Sequence, residues 1–420
     1  MDWPLVKLYQ ITEQFISGGT PSTRVPEYWS GDIPWITGAD INDRVVLEGR
    51  KQITKEAIEN SATNIVPRGA ILLVTRTGVG KIAKAGVDIA ISQDLTGIVL
   101  KEKIEPDFVI AAINHKINSL IYLQQGSTIK GILRNDVENM EIPLPPLSEQ
   151  RRIVEILDQA DALRKNRAEA DAKAERILPA LFYKTFGDPL SLLKKREALE
   201  LSACEVEFQN GFACGEKDVP DGTPHLRMNN IDDAGVLNLD LIRTVPVEFN
   251  REKYRLSNGD VLFMSTNSED KIGKACVFYA PDNQNYLFSN HLTRIKITGD
   301  NLTPEYLASH LHLLWRKGFY PPIAKRWVNQ ASVSQEALYR IRIYIPEKYR
   351  LTKFSEQFRD LLRFRQKRLN AKQQLDTLFI NILHRAFSGT LTAKWREAHT
   401  KELLAEMEEQ AKLIDTKGLM

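Results

Sequence analysis

The chain has 420 residues, 43% of them hydrophobic, so it is too long for one ordinary domain and apolar enough to bury more than one core. Charged residues make up 26% with both signs abundant and a formal net charge of only +3, which sets the chain apart from strongly basic nucleic-acid binders. Any contact with a polyanion must come from local basic surfaces. Cys204, Cys214 and Cys276 are too few and too widely spaced for a disulfide framework or a four-thiolate zinc site, and a reducing cytoplasm is the expected location. The first residues carry no charged and apolar leader pattern, and no run of about 18 apolar residues occurs, so export and membrane insertion are not expected.

In chain order, the first informative stretch is GDIPWITGADIN, 31–42. It is followed by VPRGAILLVTRTGVGKIAKAG from Val66, in which a Gly turn leads into the β-rich run Ala70–Thr75. SQDLT begins at Ser92, and PDFVIAAINHKINSLIYL from Pro106 has a Pro start and helical apolar spacing. An apolar strand ends EIPLP at Pro145. Beyond residue 187 the same series returns. DGTPHLRMNNID pairs Pro224 with Pro34, and LSNGDVLFMSTNSEDKIGKAC pairs Gly259, Lys271 and Lys274 with Gly69, Lys81 and Lys84, all at an offset of 190. SNHLT from Ser289, the helix PEYLASHLHLL from Pro304 and RIYIP ending at Pro346 complete the second copy. An internal repeat fixes architecture before any motif does, and each globular copy reads as mixed α+β.

Each copy runs into a long segment rich in Ala, Leu, Glu, Lys, Arg and Gln. In the first, Ile153, Ile156, Ala160, Leu163, Arg167, Ala170, Ala174, Ile177 and Leu181 follow a three-four spacing; Ser148 is the predicted N-cap, and Gly187 and Pro189 the stop. In the second, Leu351, Phe354, Phe358, Leu361, Arg365, Arg368, Lys372, Leu375, Phe379, Ile382 and Ala386 do the same. Two matched seams predict one antiparallel coiled coil with the globular copies related by a pseudo-twofold axis, a symmetry DNA shares. A helix of roughly 35 residues would span about 50 Å.

Residues along nearly the whole chain resemble the specificity subunits of type I restriction-modification enzymes. WPLVKLYQITEQFISGGTPS, LVTRTGVGKIAKA, the junction Pro145–Gln150 within IPLPPLSEQRRIVEIL, and AFSGTLTAKWRE from Ala386 carry the resemblance. The second copy departs at its junction, where Pro346, Glu347 and Lys348 replace the Pro-Pro-Leu run. The resemblance implies target-recognition domains at 1–147 and 187–347, conserved helices at 148–186 and 348–387, and a closing segment with an acidic tail at 388–420. It further implies that each domain reads one half of a split asymmetric site in double-stranded DNA and that the helices fix the unread gap. Two modification subunits using S-adenosylmethionine, and restriction subunits that translocate and cut with ATP and Mg2+, would be the partners. The chain itself would hold no cofactor and do no catalysis.

The residues themselves offer little else. TGVGK ending at Lys81 is not a phosphate loop, because Thr75 and Ile82 stand where a Walker motif needs Gly and Ser or Thr. A flexible Gly loop beside Arg76, Thr77, Lys81 and Lys84 suits a phosphate backbone instead, as do Asn267, Lys271 and Lys274 in the second copy. AKRWVNQASVSQ offers Lys325, Arg326, Trp327, Asn329 and Gln330, with Ser127, Thr128 and Lys130 in the matching place of copy one. Gln93, Arg227, Asn229, Asn290 and His291 complete the candidate DNA contacts. His310 and His312 point to different helix faces, so no metal site is expected. The seam breaks Arg167, Arg365, Arg368 and Lys372 would be costly if buried unpaired. They are expected to meet solvent or a docking modification subunit, with Glu169, Asp171 and Glu175 as local counter-charges. A coiled-coil scaffold binding protein through its repeated domains is the alternative.

Overall fold

The computed structural model describes residues 3–123, 132–215, 218–249, 252–328 and 330–415, with backbone alone at 118–123, 413 and 415. It divides into two compact units: residues 1–166 with 373–420, and residues 167–372.

The first unit is organised by Ile71–Val74, whose four side chains are all buried. This strand is the middle of a five-stranded sheet ordered Thr12–Ser17, Leu95–Leu100, Ile71–Val74, Ile82–Ala85, Val45–Val46. A strand covered on both faces reads as a continuous apolar run, not an alternating one. Ile71 and Leu73 face the helix beginning at Pro106, packing with Phe108, Val109, Ala112 and Ile113. Leu72 and Val74 face the other way, onto Ile36, Val66 and Ile91 of a second sheet ordered Lys51–Ile53, Ile33–Ile36, Ile89–Ile91, Asn64–Val66.

The second unit repeats this plan. Its first sheet runs Val206–Asn210, Leu292–Ile297, Val261–Met264, Ala275–Val277, and its second Arg243–Val245, Thr223–Leu226, Leu287–Phe288. Val261 and Phe263 pack on the helix Pro304–Arg316 through Tyr306, Leu307 and Leu311, while Leu262 and Met264 meet Leu226 and Phe288. The offset of 190 read in the sequence carries Ile71–Val74 onto Val261–Met264 and Ile33–Ile36 onto Thr223–Leu226. Hydrogen bonding repeats as well: Ser92 N donates to Ile36 O and Ser289 N to Leu226 O, both at 2.9 Å.

Two long helices, Leu147–Ala174 and Lys348–Phe387, each contribute one end to each unit. Within each unit the two segments run antiparallel. In the first, Ile153 and Leu157 share a core with Ile382 and Ala386, while further along Arg164 pairs with Asp376 at 3.1 Å and covers the Phe379 ring at 4.4 Å. In the second, Arg167 Nη2 donates to Arg368 O at 2.9 Å, and Phe182 packs on Phe354 with ring centroids 5.9 Å apart. The fold is therefore mixed α/β with a coiled-coil helix pair.

Three local expectations are corrected. The first long helix begins at Leu147, with Ser148 inside it; the Ser148 backbone N and hydroxyl bond to the Glu406 carboxylate instead of capping. It is also interrupted, ending at Ala174 and resuming as Ile177–Phe186, which Gly187 closes at φ +94°. Its inward line runs through buried Ile153 and Leu157 and half-buried Arg164, Arg167, Asp171 and Leu178, whereas Leu163, Ala170 and Ile177 are exposed. The apolar residues misled because the true seam is charged at mid-length, where Arg368 bonds Asp171 at 2.9 Å. In the second long helix Lys372 is exposed and the other seam positions are buried or half-buried.

Candidate nucleic-acid interface

In the first unit, strand ends converge around Thr75. Thr75 N donates to Asp94 O at 2.8 Å and Thr75 O accepts from Ile132 N at 2.8 Å. The loop following Thr75 carries Arg76, Thr77 and Lys81, all exposed, and Gly78 and Gly80 take left-handed φ of +84° and +93° that permit its reversal. Lys81 Nζ donates to Gly38 O at 3.1 Å, tying this loop to the Thr37–Asp40 turn. That turn is itself locked, since Asp40 accepts from Thr37 N at 2.8 Å and from Arg50. Burial would raise the Asp40 carboxyl, yet the hydrogen bonds from Arg50 and Thr37 hold it below its ordinary value. The exposed Gln93 accepts from the Thr20 hydroxyl, and Gly18 approaches so closely that a Cβ there would lie 2.1 Å from Ser92 O. Ser127, Thr128 and Lys130 lie outside the described residues.

The second unit builds the same end differently. Ser265 N and Thr266 N both donate to His291 O, at 3.0 and 3.2 Å, and Asn290 N donates to Phe212 O at 3.1 Å. Thr266–Asn267 pairs with Gln330–Ser332, which pairs in turn with Lys325–Trp327, so a hairpin stands beside Asn267. Lys325, Arg326 and Trp327 are exposed, Trp327 by 59% and the adjacent Val328 by 90%. Arg326 is held by Glu269 at 2.8 Å. Asn267, Asn290, His291, Lys325, Arg326, Trp327 and Gln330 thus gather, with exposed Lys271 on the adjoining loop. Burial lowers the His291 pKa, favouring the neutral ring. Asn329 lies outside the described residues. Arg227 and Asn229 sit on the turn after Thr223–Leu226, where Asn229 Nδ2 donates to Leu241 O at 3.3 Å.

Two of the candidate lysines face inward. Lys84 pairs with Asp107 at the start of the first unit's helix at 2.6 Å. Lys274 is buried against Asp233, its ammonium 4.9 Å from the Trp315 ring centre. Both stabilise their own unit and offer no free charge to a phosphate. Nor do the seam arginines wait for a partner. Arg368 meets Asp171 and Glu175, and Arg365 meets Asp232 at 2.6 Å and Glu175 at 3.5 Å, all inside the second unit. Arg167 adds Asp171 at 3.2 Å. Asp232 was not foreseen, because its closeness to Arg365 exists only after folding. His310 and His312 are buried in the second unit, His312 Nε2 lying 3.2 Å from Asp233 O. Among the described residues no group of three or more His, Cys, Asp or Glu is placed to hold a metal ion, and no helix is long and apolar enough to cross a membrane.

Sequence reasoning missed Arg243, Phe212, Phe249 and Tyr254. Arg243 pairs across strands with His225, and Phe249 and Tyr254 pack on Phe212 with centroids 5.4 and 4.8 Å away. Strand pairing alone unites them, so no spacing in the sequence signals the group.

Residues 1–175 match the type I restriction modification DNA specificity domain. The chain is 32% identical over 216 residues to the type I restriction enzyme MjaIX specificity subunit of Methanocaldococcus jannaschii, covering 50% of each. It is 25% identical over 319 residues to the EcoKI specificity subunit of Escherichia coli K12, covering 71% of this chain and 68% of that one. In its two foremost alignments the chain spans half or less of the relative's length, 50% and 39%. A solved chain from a type I R-M system has the same fold, with a TM-score of 0.62 at 17% identity over 93% of this chain and 98% of that one. With the domain match over residues 1–175 and the same plan repeated in its second unit, the chain is similar to the specificity subunits of type I restriction-modification systems.

Proposed function

We propose that this chain reads a bipartite asymmetric site in double-stranded DNA, one half per unit, and directs catalytic partners to it without catalysing a reaction itself. The observation that carries this reading is the repeat. Two units share one backbone plan, yet present different polar and basic side chains at the same strand ends: Arg76, Thr77, Lys81 and Gln93 in one, Asn267, Asn290, Lys325, Arg326, Trp327 and Gln330 in the other. A common scaffold with unlike loop chemistry suits two unlike half-sites, since loops carry recognition and backbone plan carries stability. Two modification subunits using S-adenosylmethionine and further restriction subunits using ATP and Mg2+ are the partners this role calls for, in the cytoplasm.

The test is co-expression with the neighbouring modification gene in a methylation-free host, followed by mapping of N6-methyladenine. A bipartite motif present only with this chain supports the reading. A stable complex that leaves no new methylation would favour a protein-binding scaffold instead.

A further inference from the structure

The second unit holds two arginines, Arg227 and Arg243, that form no ion pair among the described residues. His225 pairs with Arg243 across antiparallel strands, so their side chains share a sheet face, and Arg227, two residues on in extended backbone, returns to that face. Each guanidinium has a buried Nε with no hydrogen-bond partner. Burial and then the nearby Arg243 lower the Arg227 pKa, with Asp218 opposing this. Elsewhere in this unit buried arginines are met by carboxylates, as Arg365 and Arg368 are. Leaving two cations side by side and unpaired is costly unless an anion joins them. The neighbours on this face include His225 and Phe212, with rings 4.8 Å apart, and beyond them Phe249 and Tyr254, a largely aromatic surrounding in which Asp218 is the acidic group near Arg227.

The first unit repeats the arrangement at the equivalent strand pair. Trp35 takes the place of His225 and Lys51 that of Arg243. Lys51 Nζ lies 4.7 Å from the Trp29 ring centre, and Trp29 packs edge-on against Trp35 at 5.1 Å. An open cleft of about 480 Å3 lies beside it, bordered by Trp29, Arg50 and Lys51. A basic residue paired across the strands with an aromatic ring at the same register in both units argues for one shared task.

We propose that Arg227 and Arg243 form a clamp for a DNA backbone phosphate, a sequence-independent positioning contact separate from the loop cluster that reads bases. This rests on the reading of the chain as a DNA-binding subunit. Phosphate contacts fix register and supply salt-dependent affinity without carrying sequence information. Arg243 is therefore a positioning residue.

The test uses the full chain with two labelled duplexes, one carrying the site found by methylation mapping and one of random sequence. The double variant Arg227→Gln with Arg243→Gln is expected to weaken binding to both duplexes by the same factor, about tenfold near 100 mM salt, and to lower the slope of log affinity against log salt by about 2. The methylation motif stays the same. Arg227→Lys with Arg243→Lys, which keeps the charges, restores most of the slope and controls for folding. An unchanged slope in a folded Gln variant overturns the clamp. So does a loss confined to the site-bearing duplex with a relaxed motif, which would make these residues base readers. If the unaltered chain binds neither duplex, the DNA-reading function fails instead.

Discussion

The two units differ least where backbone meets backbone and most where side chains meet solvent. Gly18 and Gly211 occupy the same place: a Cβ on either would lie within 2.4 Å of two successive carbonyls at the end of a strand, those of Ile91 and Ser92 in one unit and of Phe288 and Ser289 in the other. Ser92 and Ser289 make the same bond to the neighbouring strand. Beside these fixed points, Thr20 bonds Gln93 in the first unit, while Phe212 packs on His225, Phe249 and Tyr254 in the second. The lesson is that one packing solution supports two surfaces of unlike chemistry, which is what reading two different half-sites demands.

The interiors diverge too, and pH sharpens that difference most. The second unit buries His225, His310 and His312, whose pKa values burial pushes down to about 4, 3 and 4. A group depressed in the folded state contributes stability that is complete above its unfolded pKa and is lost as pH falls toward the folded value. Between about pH 6.5 and pH 4 each histidine therefore removes up to about 3 kcal/mol from the second unit. In the first unit the His115 pKa is lowered by burial and then by His384. Hydrogen exchange at pH 4.5 should show Pro304–Arg316 opening well before the helix at Pro106; simultaneous opening would contradict this.

Next in size is the carboxylate clasp peculiar to the first unit. Glu149 is fully buried and binds Trp3 Nε1 at 2.9 Å, the Thr392 hydroxyl, and Arg396 at 2.9 Å, joining the N-terminal strand, the first long helix and the C-terminal segment. The nearest counterpart in the second unit is Glu305, on the shorter helix, bonded to Tyr279 and to Arg359 at 2.7 Å. Glu149→Ala leaves Arg396 without its carboxylate and should cost about 3–5 kcal/mol. Thermal melting with peptide-resolved exchange should place that loss in the first unit alone.

Smaller and symmetrical effects are expected from the shared skeleton. Gly18→Ala and Gly211→Ala each force a backbone shift that should cost about 1–3 kcal/mol, and the two losses should be similar because each Cβ would crowd the equivalent pair of carbonyls. Removing the helix caps at Thr54 and Ser334, which accept from Ala57 N and Ala337 N at 3.2 Å, should cost about 1 kcal/mol each by chemical denaturation. Unequal losses between the two glycine variants would mean the units are less alike than their registers indicate.

How much of this was readable beforehand follows from what each feature depends on. Strand runs such as Ile71–Val74 and Val261–Met264, the two Pro-initiated helices and the second seam depend on local pattern, and the repeat exposed them. The first seam was misread because Arg164, Arg167 and Asp171 earn their burial from partners on the other helix, not from apolarity. Lys84 and Lys274 looked like loop cations, but strand geometry turns them toward Asp107 and Asp233. The Glu149 clasp and the Arg227–Arg243 pair join residues distant in sequence, so only the folded chain reveals them.

The most direct test of independent reading by the two units is methylation mapping with a chain altered in one unit only. Asn267→Ala with Gln330→Ala should degrade one half of the methylated motif and leave the other half and the gap unchanged. A motif that degrades in both halves, or in neither while binding falls, would contradict the assignment of one half-site to each unit.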